Sequence, residues 1–243
     1  MFSKTALAKM IDHSFLKHDA SEQEIISFCE ESREEHFAAV VVFPYWLPVA
    51  AKHLRSSDVK LATVVGFPFG AVPAACKVYE SQKSIEMGAE EIDMVINLGA
   101  LRSGHLEVVR REIEKVVTEA EMDGLTEDGE EILVKVIIET GLTTRYEQEQ
   151  VCRIAEEARA DFIKTCTGLG PRGATVEDVK FLRQVLSRDL GIKAAGAIRT
   201  YEQMLMMINA GANRIGTSSG FAILREYERV EQPLAEGIVE AET

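Results

Sequence analysis

Two lysines sit inside short apolar stretches, Asp161-Phe-Ile-Lys164-Thr-Cys-Thr-Gly168 and Gly191-Ile-Lys193-Ala-Ala-Gly-Ala-Ile198. Lysine is depleted in strands and is almost never fully buried without a partner. Two ammonium groups on neighbouring interior strands repel, and only a neutral amine is a nucleophile. The pattern therefore points to an amine whose pKa is lowered for attack on a carbonyl. An ordinary lysine titrates near about 10.4; at about 7.5, roughly a quarter is neutral at pH 7, a gain of several hundredfold. A second cation a few ångströms away supplies that shift, helped by desolvation. The structural alternative is that each lysine snorkels outward or pairs with a carboxylate such as Asp93. That suits one strand lysine better than two that both lead into glycine-rich loops. A third, Lys135 in Leu133-Val-Lys-Val-Ile-Ile-Glu139, is expected to pair with Glu139, four residues on and on the same strand face. For it a structural role is as plausible as a catalytic one.

Two carboxylates lie among apolar strand residues, Asp93 in Glu91-Ile-Asp-Met-Val-Ile-Asn97 and Asp12 in Ile11-Asp-His-Ser14. A carboxylate beside an imine-forming lysine can orient it, hold a water and shuttle protons; it can equally be a satisfied acceptor at a strand end. His13 has no partner motif and is expected to be structural. Three small-residue turns complete the set: Thr167-Gly168-Leu-Gly170, Gly196-Ala197 and Gly216-Thr-Ser218-Ser219-Gly220. Glycine lets the backbone approach a ligand, and successive amides with serine hydroxyls bind phosphate oxygens without net positive charge. Ordinary strand-to-helix capping is the competing explanation for each turn alone.

These residues need a scaffold that brings strand ends together. Short β-branched runs over 9–14, 38–43, 60–66, 91–97, 132–139, 161–166, 192–195 and 212–216 alternate with helical segments. Helices are expected between them, such as those over 21–35, 73–87, 106–123, 145–158, 176–187 and 201–209. Thr175 with Asp178 and Thr200 with Gln203 have the spacing of a capping box. Eight strands separated by helices imply parallel pairing with right-handed crossovers. The first strand is followed by no GxGxxG, and the chain has no Walker motif, which disfavours a doubly wound open sheet. The expectation is an α/β fold, a single-domain (β/α)8 TIM barrel over residues 1–243, with its chemistry where strands end and loops begin. The polar stretch 122–131 is expected to be a surface loop.

A net charge of −13 argues against non-specific binding to nucleic acid or anionic membrane, yet a local cluster of amides can still hold a phosphate. The N-terminal residues lack the long apolar region of a signal peptide, and Cys29, Cys76, Cys152 and Cys166 show no metal-binding or disulfide spacing. A reduced, cytoplasmic protein with no metal site is the expectation.

At the same residues the chain closely resembles the deoxyribose-phosphate aldolase family of class I, Schiff-base aldolases. The resemblance runs from Ile11-Asp-His-Ser14 through Val65-Gly-Phe-Pro-Phe-Gly-Ala71, Glu91-Ile-Asp-Met-Val-Ile-Asn97 and Lys135-Val-Ile-Ile-Glu-Thr-Gly141. It continues through both lysine stretches and Gly173-Ala-Thr-Val-Glu-Asp-Val179 to Arg214-Ile-Gly-Thr-Ser-Ser219. It implies a (β/α)8 barrel that reversibly cleaves 2-deoxy-D-ribose 5-phosphate to D-glyceraldehyde 3-phosphate and acetaldehyde. No metal or organic cofactor is implied, because the protonated imine is the electron sink. By this resemblance Lys164 forms the imine, Lys193 tunes its pKa, Asp93 relays protons and Asp12 binds a substrate hydroxyl or water. The phosphate site maps to Gly168, Gly196, Ala197, Gly216, Ser218 and Ser219. The expected partners are the sugar phosphate and acetaldehyde, with the oligomeric state left open, a homodimer included.

The departures are specific. Where the family usually has Val-Cys-Val-Asn-Pro after the second strand, this chain has Val40-Val41-Val42-Phe43-Pro44. Its Gly-Gly pair is Gly196-Ala197, preceded by Ala195, and Asn-Thr-Thr is Val72-Pro73-Ala74. The last residues, Val239-Glu-Ala-Glu-Thr243, contain no tyrosine, so no tail-assisted proton transfer is expected. These changes bear on substrate fit and leave every lysine and carboxylate in place. Two other functions stay open: a Schiff-base aldolase on the same scaffold with a different donor or acceptor, and a non-catalytic sugar-phosphate-binding barrel.

Overall fold

A computed structural model describes residues 2–122 and 129–231. Eight strands, β1 (Ile11–Phe15), β2 (Ala39–Val42), β3 (Lys60–Val65), β4 (Glu91–Val95), β5 (Leu133–Ile137), β6 (Phe162–Lys164), β7 (Gly191–Ala195) and β8 (Arg214–Thr217), pair in parallel and in sequence order. β8 pairs back onto β1, which closes the barrel and excludes an open sheet. Around it run α2 (Glu22–Glu34), α3 (Leu47–Leu54), α4 (Ala74–Glu86), α6 (Leu106–Met122), α7 (Arg145–Glu157), α8 (Val176–Val185), α9 (Tyr201–Ala210) and α10 (Gly220–Glu231). The short α1 (Lys4–Ala8) precedes β1, and α5 (Leu98–Arg102) follows β4. No helix among the described residues is long and apolar enough to cross a membrane.

The outward face of the strands supplies the core. Ile92 and Met94, Val134 and Val136, Ile163, Ile192 and Ala194, and Ile215 pack with α6, α7, α8 and α9 in one apolar cluster. These residues alternate with the charged ones, so period-two patterning sends hydrocarbon to the helices and charge to the barrel interior. Capping boxes start α8 at Thr175 and Asp178 and α9 at Thr200 and Gln203. The same device opens α2 at Ser21 and Glu24 and α7 at Thr144 and Glu147.

Several boundaries differ from expectation for identifiable reasons. β6 stops at Lys164: the Thr165 amide still donates to the Lys193 carbonyl, but the Ala195 amide turns to Thr165 Oγ1 at 3.0 Å in place of a backbone carbonyl, and Oγ1 donates to the Ala195 carbonyl. β5 ends at Ile137, and Glu139 turns left-handed at φ 47°. β4 gives way to α5, with Asn97 as N-cap. Part of the loop expected over 122–131 and of the helix expected over 106–123 lies outside the described residues, as do residues 239–243. A buried ion pair fixes the end of β4. Lys77 Nζ donates to the Val95 carbonyl and to Glu112, each at 2.7 Å, and Glu112 accepts the Asn97 amide. The strand that carries Asp93 is thereby anchored from α4 and α6.

Candidate active site

Asp93 on β4 receives three ammonium groups. Lys164 Nζ lies 2.8 Å and Lys193 Nζ 2.6 Å from its Oδ2, and Lys135 Nζ lies 2.9 Å from its Oδ1. β4 and β7 are not neighbours in the sheet, so the Asp93–Lys193 contact runs through the barrel interior. Lys193 also meets Asp12 Oδ2 at 2.6 Å, and Arg214 Nε meets Asp12 Oδ1 at 2.6 Å. Arg214 bridges further to Glu91, which in turn accepts from Lys135 at 2.5 Å. Strand register sets these neighbours, pairing Lys164 with Lys193 and Asp93 with Lys135.

Seven charged groups thus form one cluster in the barrel: the buried Asp12, Glu91 and Asp93 against the buried Lys135, Lys164 and Lys193 and the partly buried Arg214. Fully ionised, the three acids and four bases leave one surplus positive charge. An uncompensated charge in such a place is costly, and the relief is one amine without its proton. Lys164 is that amine. Burial is the largest influence on it and lowers its pKa; Asp93 opposes the shift, Lys193 and Lys135 reinforce it, and the outcome is about 8. Burial outranks the second cation here, the reverse of the order drawn from sequence. For Lys135 burial also pulls downward, but Asp93 and Glu91 outweigh it and hold the ammonium well above its usual range. Burial would raise the carboxyls of Asp12 and Asp93, yet the surrounding cations hold both well below the ordinary range. At pH 7.5 about a quarter of Lys164 is then neutral, against about one in a thousand for an ordinary lysine.

The expected Lys135–Glu139 pair does not form. Glu139 lies above Lys135 and turns its carboxylate to Thr167, accepting from the amide at 3.0 Å and from the hydroxyl at 2.6 Å. His13 is buried against Phe28 at 4.0 Å between ring centroids, with Nδ1 against Ser32. Burial drops its pKa to about 3, which keeps it neutral and structural.

The small-residue turns follow β6, β7 and β8 at the C-terminal end of the barrel. Gly168 and Gly196 take left-handed φ values of 87° and 93°, and a Cβ on Gly196 would sit 3.6 Å from the Gly168 Cα. Ala197 adopts φ 61° with its methyl against Gly173, where a Cβ would come within 2.8 Å. Ser218 and Ser219 precede α10, though the Ser219 amide is already engaged by Thr217 Oγ1 at 2.9 Å. Gly216 has a second use: a Cβ there would come within 3.0 Å of Lys193 Cε and 2.9 Å of Ala195 Cβ. It clears the path along which Lys193 enters the barrel. Opposite the charges, Ala39, Val41, Ala62 and Val64 form an apolar wall capped by Leu16, Phe43 and Phe67. Glu91 and Arg214 escaped the sequence reading, although Glu91 lies two residues before Asp93 and shares its strand face.

The model of the DeoC/LacD family aldolases matches residues 6–227. The chain belongs to this family. A deoxyribose-phosphate aldolase from Thermococcus gammatolerans is 50% identical over 227 residues, covering 93% of this chain and 98% of the relative. One from Streptococcus gordonii is 48% identical over 219 residues, 90% and 96% of the two chains. Among solved structures, an aldolase named QR15 superposes with a TM-score of 0.85 at 37% identity, covering 94% of this chain and 98% of its own. A tetrameric deoxyribose phosphate aldolase from Aeropyrum pernix gives 0.85 at 30% identity, covering 94% and 93%. This DeoC/LacD aldolase keeps its lysines and acids on one closed barrel, while its apolar wall holds Val41 and Phe43.

Lys193 is expected to act on Lys164 through charge. In Lys193→Leu the ammonium of Lys164 loses a repelling neighbour and keeps Asp93, so its pKa rises. The ascending limb of kcat/KM, expected near pH 8 in the wild type, should move up by one unit or more in the variant, on the order of 1.4 kcal/mol per unit. A pH–rate profile of unchanged position in Lys193→Leu would contradict the electrostatic role.

Proposed function

We propose that the protein, as a single domain over residues 1–243, is a class I aldolase. It reversibly cleaves 2-deoxy-D-ribose 5-phosphate to D-glyceraldehyde 3-phosphate and acetaldehyde through an imine on Lys164. The observation that carries this reading is the shared Asp93 carboxylate, which packs Lys164 against Lys193 in a buried cluster and leaves Lys164 as the titrating amine. Near-identity in length with deoxyribose-phosphate aldolases at about half sequence identity supports the substrate.

The neutral amine of Lys164 attacks the aldehyde carbon C1, and the oxygen takes a proton to give a carbinolamine. Loss of water leaves a protonated imine. A base removes the C3 hydroxyl proton, the C2–C3 bond breaks, and its electron pair flows into the imine. Glyceraldehyde 3-phosphate leaves, and the enamine that remains is protonated at C2. Water then hydrolyses the acetaldehyde imine and frees Lys164. Asp93, whose Oδ2 accepts from both Lys164 and Lys193, would hold the imine-forming nitrogen and a water in line and relay protons between them once imine formation changes the charges around it. Asp12, tied to Lys193 and Arg214, would orient a water or substrate hydroxyl.

The phosphate is assigned to the turns at Gly168, Gly196, Ala197, Gly216, Ser218 and Ser219, where amides and a helix N-terminus supply donors. The engaged Ser219 amide leaves its hydroxyl, with Ser218, as the serine contribution. A cytoplasmic location and a homodimer accompany this reading. Free cysteines support the former, and the exposed rings of Tyr45, Phe69 and Tyr79 the latter, which a sedimentation mass decides.

Borohydride reduction in the presence of acetaldehyde should add an ethyl group to Lys164, located by mass. Lys164→Ala should fold, lose turnover and lose the adduct; undiminished trapping in that variant would sink the assignment. For the phosphate, Ser218→Asp should raise KM for deoxyribose 5-phosphate at least tenfold more than for unphosphorylated deoxyribose, the cost of a carboxylate against an anion. Equal effects on both substrates would move the phosphate elsewhere.

A further inference from the structure

We infer that Glu91 and Arg214, at the floor of the barrel, are positioning residues that set, through Asp93, how readily Lys164 of the lysine cluster gives up its proton. The inference rests on Lys164 as the imine-forming lysine. Both residues open their strands, β4 and β8, on the side away from the loops, and their ion pairs run to Lys135, to Asp12 and to each other. Two chains of contacts rise from them. One runs from Glu91 to Lys135 at 2.5 Å and on to Asp93 Oδ1 at 2.9 Å. The other runs from Arg214 to Asp12 at 2.6 Å, then to Lys193 at 2.6 Å and to Asp93 Oδ2. Arg214 and Glu91 join the chains below through contacts of 2.8 and 3.0 Å. Asp93, whose Oδ2 accepts from Lys164, receives both.

The charges facing this interior can be named strand by strand. Among the described residues β1 brings Asp12, β4 Glu91 and Asp93, β5 Lys135, β6 Lys164, β7 Lys193 and β8 Arg214; β2 and β3 bring the apolar Ala39, Val41, Ala62 and Val64, and Lys60 at the start of β3 is paired with Glu90 and Glu130. Asp161, at the head of β6, spends an oxygen on the Val134 amide and lies within electrostatic reach of Lys135 and Glu91. Among the interior groups the surplus of one positive charge is what deprotonation of Lys164 removes. Loss of Glu91 enlarges the surplus and should free the Lys164 amine at lower pH. Loss of Arg214 abolishes it, so all three lysines can stay charged and Lys164 should hold its proton to higher pH. Loss of both restores the original balance.

The test is the pH dependence of kcat/KM for Glu91→Gln, Arg214→Gln, the double variant and Arg214→Lys, with borohydride trapping mapped in each. The ascending limb should fall by about one pH unit in Glu91→Gln and rise by about one in Arg214→Gln. The double variant and Arg214→Lys should return it to the wild-type position. Because the two single variants move in opposite directions, a general loosening of the barrel cannot imitate the result; loss of rate at every pH without a limb shift is what a purely structural role gives. If trapping stays on Lys164 while the limb does not move in any variant that folds, the inference is overturned and the catalytic reading stands. Trapping on another lysine overturns both.

Discussion

Asp93 is the point on which the interior of this barrel depends. Its two oxygens accept three ammonium groups, from β5, β6 and β7, and all four side chains are buried. Removing one partner from a buried ionic cluster costs on the order of 3–5 kcal/mol, because a charge is left uncompensated. The carboxylate therefore both permits the lysines to be buried and fixes where they point. It does not neutralise them all. The seventh charged group exceeds the pairing, and Lys164, the lysine with the small residual exposure of 2%, is the one whose proton is held least firmly. Nucleophilicity here follows from arithmetic of buried charge and from access together.

Much of the surrounding structure serves that cluster. The Lys77–Glu112 pair anchors the end of β4 from outside the barrel. Gly216 makes room for the Lys193 stem, so a residue expected only at the phosphate also allows the second lysine to enter. Glu139 leaves Lys135 to Glu91 and Asp93 and grips Thr167, and the Thr167 hydroxyl in turn accepts the Leu169 amide at 3.1 Å. The turn after the imine lysine is thus tied to the end of β5. The wall of Val41, Val64, Phe43 and Phe67 faces the charges with hydrocarbon.

The sequence made the barrel legible because its two periodicities alternate without interruption, and because strand lysines violate the ordinary rule for buried positions. Lys164, Lys193, Asp93 and Asp12 were each readable as charge in an apolar run, and the structure brings all four together. Glu91 and Arg214 stand at strand starts, where a charge looks like solvated surface; only closure of the barrel turns them inward. The Lys135–Glu139 pair failed for a related reason. Spacing along a strand gives the face but not the bend, and the left-handed turn at Glu139 carries its carboxylate to the next strand. Short helices were missed where capping, not periodicity, starts them, as at Asn97.

Direct titration of the lysine ammonium groups tests the account most closely. With lysine labelled at Cε with carbon-13, and the Lys164 resonance assigned by its loss in Lys164→Met, the chemical shift can be followed against pH in the free protein. A midpoint near pH 8 is predicted for Lys164, with Lys135 still charged well above it. A Lys164 midpoint at or above about 10.4, the value of an ordinary lysine, would contradict it.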